Sequence, residues 1–366
     1  MNLLTTTIDL DAIAHNTRLL KRMAGGAQLM CVVKADGYNH GAAPVAATMA
    51  AHGADQFGVA TLAEAVALRE AGITQPILAW MWQPDQNIEA ALEAGIELGV
   101  PSLAHIRRLA DEGVVARVSL KLDTAMNRSG VDPTDWDAAF SMLAAAPNLT
   151  VTGLFSHFAC ADEPDNPLNN QQIAAMNRAI SAARAAGLEV PVNHLANSPA
   201  LLTRPDSFFE MVRPGIAVYG CNPVPGLATE LRPAMTWESR VTVVKPIQAG
   251  EGVSYGQTWR APSDGFTAVV ACGYADGLPR AMQGGLEVTI GDSRYPQVGR
   301  VCMDQIVVWL GEGGAPEVHP GDRAILFGPG TDGEMTADDF AAVLGTINYE
   351  VICSPHGRTT RTYLGG

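Results

Sequence analysis

The chain has 366 residues, 47% of them hydrophobic and only 17% charged, against roughly 25% charged in ordinary soluble domains, which excludes disorder as its main state. A net charge of −14 runs against the basic face that duplex binding normally needs, so nucleic acid is not an expected partner, and any anionic ligand has to be met by a local cluster of cations. The apolar runs stop well short of the ~18 residues of a membrane helix, so no membrane partner is expected either.

In chain order, MNLLTTTIDLDAI has neither the basic start nor the long apolar run of a secretory signal. LDAIAHNTRLLKRMA sets apolar residues at 10, 13, 19, 20 and 23, which predicts an amphipathic helix. TLAEAVALREAG and NNQQIAAMNRAISAARAAG read the same way and end at glycines. Between such stretches lie eight apolar runs, predicted as strands: 28–34, 57–60, 76–80, 96–100, 117–123, 151–157, 191–197 and 211–220. Near-continuous apolar strands alternating with helices predict a parallel sheet buried on both faces, and eight such units predict a (β/α)8 barrel. A doubly wound open sheet is the alternative, but no GxGxxG loop follows the first strand.

CNPVPGLATELRPA (221–234), with three prolines, reads as a connector. Beyond it RVTVVKPI, FTAVVACGY, EVTI, QIVVWL and RAILFG alternate with Gly, Pro and Asp turns, which predicts a mainly-β domain. One helix, TADDFAAVLGTIN, interrupts it, with Thr336 and Asp339 at capping-box spacing. The fold class is therefore α/β, with an N-terminal (β/α)8 barrel over 11–230 and a C-terminal mainly-β domain over 231–366. Cysteines 31, 160, 221, 272, 302 and 353 show no CxxC spacing and read as reduced thiols of a cytoplasmic enzyme.

Ionisable residues collect where the predicted barrel strands end: Lys34, Lys121 with Asp123, then Arg128, His157, His194 with Asn197 and Ser198, and Arg213 with Gly215. Barrel enzymes build their sites at that face. Lys34 reads either as a strand-end lysine reaching solvent or as an amine with a lowered pKa, fit to bond a carbonyl cofactor. Tyr38, four residues on, suits a phosphate or simple packing. Arg213 suits a carboxylate, a phosphate, a ring nitrogen or a structural ion pair. Gly215 and Ile216 offer backbone N–H groups to an anion, and Ser198 opens a predicted helix, whose N-terminus favours phosphate. Zinc is disfavoured: His194 and Cys302 could join His157 and Cys160, but only that one pair has ligand spacing, where structural sites usually show two. The absence of GxSxG disfavours a serine hydrolase. VSYGQTW, GYADGLPR and GRVCMDQ each read singly as hairpin chemistry.

Together, CVVKADGYNHG, KLDTAMNRSG, HFACADE, HLANSPA, VRPGIAVYG, VSYGQTW, GYADGLPR, GRVCMDQ and NYEVICS resemble, in order and over nearly the whole chain, the motifs of alanine racemase, the bacterial enzyme of pyridoxal 5'-phosphate (PLP). The resemblance implies a homodimer with shared sites and places residues 1–10 with the β domain. It implies that Lys34 holds PLP and acts as one base, with Tyr255 of the partner subunit as the other. It gives Arg213 the pyridine nitrogen, Arg128 the phenolate and the substrate carboxylate, and His157 the face of the ring. Tyr38, Ser198, Gly215, Ile216 and Tyr349 bind the phosphate, and Met303 contacts substrate. Lys121, often carbamylated in the family, orients the arginine. Asn197, Tyr274 and Asp304 support the site, Tyr274 by narrowing access.

The sequence departs from the family pattern at Ala125, where glycine is usual, at Gly37 and Asn39, where alanine and glycine are usual, and at Leu278. Three other readings stand beside this one. A broader amino-acid racemase differs only in side-chain space. A PLP decarboxylase of similar architecture usually has a carboxylate where Arg213 stands. A non-catalytic PLP carrier lacks the β domain.

Overall fold

The computed structural model describes residues 2–313 and 316–366. The chain forms two compact units, one of Ile13–Leu231 and one that combines Met1–Ala12 with Arg232–Gly366.

Strand β1 (Leu4–Asp9) opens the chain and leads into the helix Leu10–Ala24, whose basic last turn, Lys21 and Arg22, complements the helix dipole. Next come β2 (Gln28–Val32), β3 (Gln56–Thr61), β4 (Ile77–Met81), β5 (Glu97–Val100), β6 (Ala116–Lys121), β7 (Leu149–Phe155) and β8 (Met211–Val212). These seven form one parallel sheet in the order β7-β6-β5-β4-β3-β2-β8. Helices follow the strands, among them Leu62–Glu70, Leu103–Asp111 and Pro167–Ala185. Leu29, Met30, Val59, Leu78, Leu98, Val118 and Leu154 are fully buried, as strands covered on both faces require.

The segment 191–197, predicted as a strand, is reduced to one bridging residue: His194 pairs in parallel with Phe155 of β7 and with Met211 of β8. That bridge closes the ring. Pro191 has no N–H to give, and the Asn193 side-chain oxygen, rather than backbone, accepts from the Leu154 N–H at 3.1 Å. Gly153 permits the close approach, since a Cβ there would strike the Val192 carbonyl. β8 also stops short of its predicted length, because the chain passes through Pro214 into a 3-10 turn over Ile216–Tyr219.

At the opposite, N-terminal mouth of the strands lies a cavity of about 230 Å³ lined by Gln28, Gln56, Glu97, Arg117, Thr152 and His194. Glu97 is buried there; it accepts from the Thr152 hydroxyl at 2.6 Å and faces the Arg117 guanidinium at 3.7 Å. Burial, only partly offset by these two partners, pushes its pKa up.

In the smaller unit the strands are β9 (Met235–Ile247), β10 (Gly252–Val253), β11 (Trp259–Arg260), β12 (Gly265–Val270), β13 (Glu287–Ile290), β14 (Ser293–Val298), β15 (Ile306–Glu312), β16 (Arg323–Phe327) and β17 (Thr360–Leu364). The long β9 pairs with β1 and β16 along its first half and with β12 along its second, so β9-β12-β15-β14-β13-β16 runs back onto β9. β1 lies between β9, antiparallel, and β17, parallel. The helix Ala337–Leu344 carries the capping box of Thr336 and Asp339, and its Phe340 meets Phe327 edge-on at 5.3 Å in the core.

Candidate active site

Lys34 follows β2 at the C-terminal mouth of the barrel strands, and the backbone after it turns with the wrong hand. Ala35, Asp36, Gly37, Tyr38 and Asn39 have φ of 53°, 53°, 63°, 51° and 65°, a left-handed helical turn closed by Gly37 N–H to Val33 O and Asn39 N–H to Ala35 O, both 2.9 Å. Each L-residue with a Cβ costs roughly 1–2 kcal/mol there, glycine almost nothing and asparagine less than most. Gly37 and Asn39, the two departures in this motif, both fall inside the turn, so each sits where its residue type is tolerated. Two carboxylates hold the turn. Asp36 accepts from the Ala42 N–H at 2.8 Å. Glu64, from the neighbouring helix, accepts from the Ala35 N–H at 2.7 Å.

Three more cations stand at the same strand ends. Lys121, the last residue of β6, is buried and donates to the Ser129 hydroxyl at 2.5 Å. Its burial, and then Arg128 and Arg213, pull its pKa down to about 8, against the opposing charge of Asp123. Asp123 organises the next loop: one of its oxygens accepts from the N–H groups of Ala125, Met126 and Asn127 at 2.8, 3.1 and 3.2 Å. That wrap sets φ of 94° at Ala125 and 54° at Asn127 and leaves Arg128 exposed on the loop.

Arg213 follows β8 and is buried. It contacts His194 Nδ1 at 2.9 Å, the Ser156 carbonyl at 2.5 Å and His157 Nδ1 at 3.3 Å. A guanidinium only donates, so both Nδ1 atoms accept and both imidazoles carry their proton on Nε2. Burial, then Arg213, pushes both histidines well below the usual range and keeps them neutral. Burial pulls Arg213 itself down to about 9, which leaves it charged at neutral pH.

A small polar cradle completes this end of the barrel. Asn197 caps the helix Ser198–Thr203, accepting from the Ala200 N–H at 3.2 Å. Ser198 Oγ accepts from the N–H groups of Gly215 and Ala217 at 2.8 and 3.3 Å. A Cβ on residue 215 would strike the Tyr38 hydroxyl, so Gly215, Tyr38 and Ser198 converge, with Ile216 starting the 3-10 turn beside them. Hydroxyls and backbone N–H groups in such a concavity suit a phosphate. The cradle, the fixed cation of Arg213 and the amine of Lys34 fit a phosphorylated pyridine aldehyde.

In the smaller unit three loops meet. Ser254 donates to the Arg300 carbonyl at 2.8 Å, and Tyr274 and Ala275 donate to the Cys302 and Met303 carbonyls, each at 3.0 Å. Tyr255, Tyr274 and Met303 thereby share a surface on which they are 70%, 42% and 52% exposed. Arg358 ties it from behind, contacting both oxygens of buried Asp276 at 2.8 Å and Asp304 at 2.7 Å. Tyr349 lies in the helix Asn348–Cys353. Sequence reasoning passed over Glu64, Ser156, Asp276 and Arg358. The Thr61 to Glu64 spacing signals a helix start and nothing more, and the other three carry no local signal.

The sequence matches the alanine racemase N-terminal domain family over residues 8–223 and the alanine racemase C-terminal domain family over residues 234–363. The chain belongs to the alanine racemase family. The alanine racemase of Corynebacterium efficiens is 61% identical over 368 residues, an alignment covering 100% of this chain and 99% of that protein. The crystal structure of alanine racemase from Corynebacterium glutamicum matches at 54% identity and a TM-score of 0.89 over 100% of both chains. That of alanine racemase from a D-cycloserine-producing Streptomyces lavendulae matches at 40% identity and a TM-score of 0.95 over 100% of this chain and 98% of its own. The fold is that of the alanine racemases, and the cofactor of the family is PLP.

Proposed function

We propose that this chain interconverts L- and D-alanine as a homodimer with shared sites, Lys34 of one subunit facing Tyr255 of the partner subunit. Bound PLP supplies the electron sink that acidifies the Cα–H of the amino acid. Lys34 holds the cofactor and moves the Cα proton on one face, and Tyr255 of the partner subunit does so on the other. One base alone retains configuration; two on opposite faces invert it. The observation that carries this reading is buried Arg213, fixed by His194, Ser156 and His157. Its guanidinium would meet the cofactor's ring nitrogen without surrendering a proton, whereas a carboxylate there would keep that nitrogen protonated and favour side reactions such as decarboxylation.

The remaining roles follow the donor sets. Tyr38, Ser198, Gly215, Ile216 and Tyr349 hold the phosphate, and Asn197 fixes the helix that presents Ser198. His157 would lie against the ring of the bound cofactor and support the tyrosine base. Arg128 meets the phenolate oxygen and the substrate carboxylate. Burial pulls the Lys121 amine down to about 8, which makes it easier to carbamylate than an ordinary lysine, and the resulting negative charge would orient Arg128. Met303 contacts substrate through its backbone, while Tyr274, and Asp304 through Arg358, shape the access. The shared exposure of Tyr255, Tyr274 and Met303 supports a second copy covering that surface. We assign 11–230 to the PLP barrel and 231–366 with 1–10 to the β domain. We assign the protein to the cytoplasm, in keeping with six cysteines scattered along the sequence without CxxC spacing.

The test is a panel of L- and D-amino acids incubated with purified protein and PLP and read by chiral chromatography. Alanine should reach equal amounts of its enantiomers from either side. No racemisation of alanine by PLP-loaded protein would overturn the activity, and faster turnover of another amino acid would make the enzyme a broader racemase.

A further inference from the structure

We propose that Glu64 is a positioning residue for the reaction, clamping the left-handed turn that carries Lys34. The inference rests on the assignment of Lys34 as the lysine that holds the cofactor. The turn is strained: Ala35, Asp36 and Tyr38 all carry a Cβ and all lie at φ between 51° and 53°. Such a run persists only where its surroundings over-determine it. Its own backbone bonds would serve a right-handed turn equally well in number, so they do not select the hand. Selection needs a contact from outside the turn, and Glu64 supplies one.

Its two oxygens divide the work. Oε1 accepts from the Ala35 N–H at 2.7 Å, one residue after Lys34. Oε2 accepts from the Ala60 and Thr61 N–H groups, both at 2.9 Å, where β3 ends. A single carboxylate thereby bolts the start of the turn to the adjacent strand of the barrel. Glu64 also belongs to the capping box of its helix, since its N–H donates to Thr61 Oγ1 at 3.2 Å. The cap alone accounts for Oε2 on Thr61; it does not account for Oε1 on Ala35.

That division supplies the control. Thr61→Ala removes the hydroxyl half of the cap and leaves Glu64 on Ala35. Glu64→Ala removes both. Loss of one charge-assisted hydrogen bond to the turn should weaken PLP binding to the apoenzyme roughly tenfold. It should also raise deuterium exchange in the peptide covering 33–41. Thr61→Ala should lower the melting temperature comparably, with PLP affinity and exchange at 33–41 as in the wild type. Glu64→Gln, which keeps one acceptor oxygen, should fall between the two and serves if Glu64→Ala does not fold. Equal PLP affinity and exchange in the Glu64 and Thr61 variants would overturn the proposal, leaving Glu64 a helix cap. Borohydride reduction of the wild-type holoenzyme followed by peptide mapping reports separately on Lys34: a label elsewhere sinks the assignment beneath the proposal, whereas a label on Lys34 with unaltered Glu64 variants sinks the clamp.

Discussion

Around Arg213 the hydrogen-bonding neighbours His194 Nδ1, the Ser156 carbonyl and His157 Nδ1 all accept. Glutamate at 213 would set acceptors against acceptors and present a carboxylate to the ring nitrogen. Arg213→Glu is expected to lower kcat for alanine by about 10²–10³-fold and to divert turnover toward pyruvate by transamination. Chiral chromatography with a pyruvate assay checks both, and unchanged rate and partitioning would remove Arg213 from its role. Ala125 offers a gentler case. At φ of 94° its Cβ is strained, and the Asp123 wrap holds it there. Ala125→Gly should gain about 0.5–1 kcal/mol net, after the entropy that glycine adds to the unfolded chain. Calorimetry should show a melting temperature a degree or two higher, a shift expected to be roughly this small in a chain of this size; a lower one would mean that the methyl packs usefully.

At the scale of the strands, the carboxylate of Glu97 at the N-terminal mouth of the barrel is a costly feature. Its folded pKa lies above the unfolded value, so the native state holds more protons than the unfolded state, and stability falls as pH rises out of the ordinary carboxylate range. Glu97→Gln keeps an acceptor for Thr152 and never ionises. The variant should therefore melt above the wild type at pH 8, with the gap narrowing toward pH 5. A gap that widens on acidification would show the Arg117 pairing to outweigh burial.

The same elements show what a sequence displays and what it hides. The apolar stripe at 10, 13, 19, 20 and 23 and the helix Leu10–Ala24 coincide because that information is local. So is the capping box at Thr336. The left-handed turn is not visible, since only Gly37 and Asn39 favour it and the other three residues are held against preference from another element. Segment 191–197 reads as a strand from its apolar residues, yet its pairing depends on Gly153 of β7 and on a side-chain bond from Asn193. The cations of the site are visible as strand-end residues. That Arg213 donates to Ser156 is not, because Ser156 contributes only a carbonyl, which every residue has.

For the whole molecule, the shared-site reading makes an all-or-none prediction. A Lys34→Ala chain mixed with a Tyr255→Ala chain should recover to about a quarter of wild-type activity, since random pairing makes about half the dimers hybrid and each hybrid has one intact site of two. Each variant alone should be nearly inactive. Refolding the two together with PLP and assaying the mixture checks this; no recovery despite demonstrated subunit exchange would return Tyr255 to a role within its own chain.

His194 closes the barrel with its backbone and accepts from Arg213 with its imidazole. On either side of it the seam has a few hydrogen bonds, such as His194 N–H to Leu154 O at 3.0 Å and Ser156 N–H to His194 O at 3.2 Å. Ser156, a second partner of Arg213, lies on that same seam. A brief parting of the joint therefore withdraws two of the acceptors that aim the guanidinium. Opening of the ring and loss of aim in the guanidinium are thereby coupled, and the ease with which this seam parts bounds how long the arginine holds its direction.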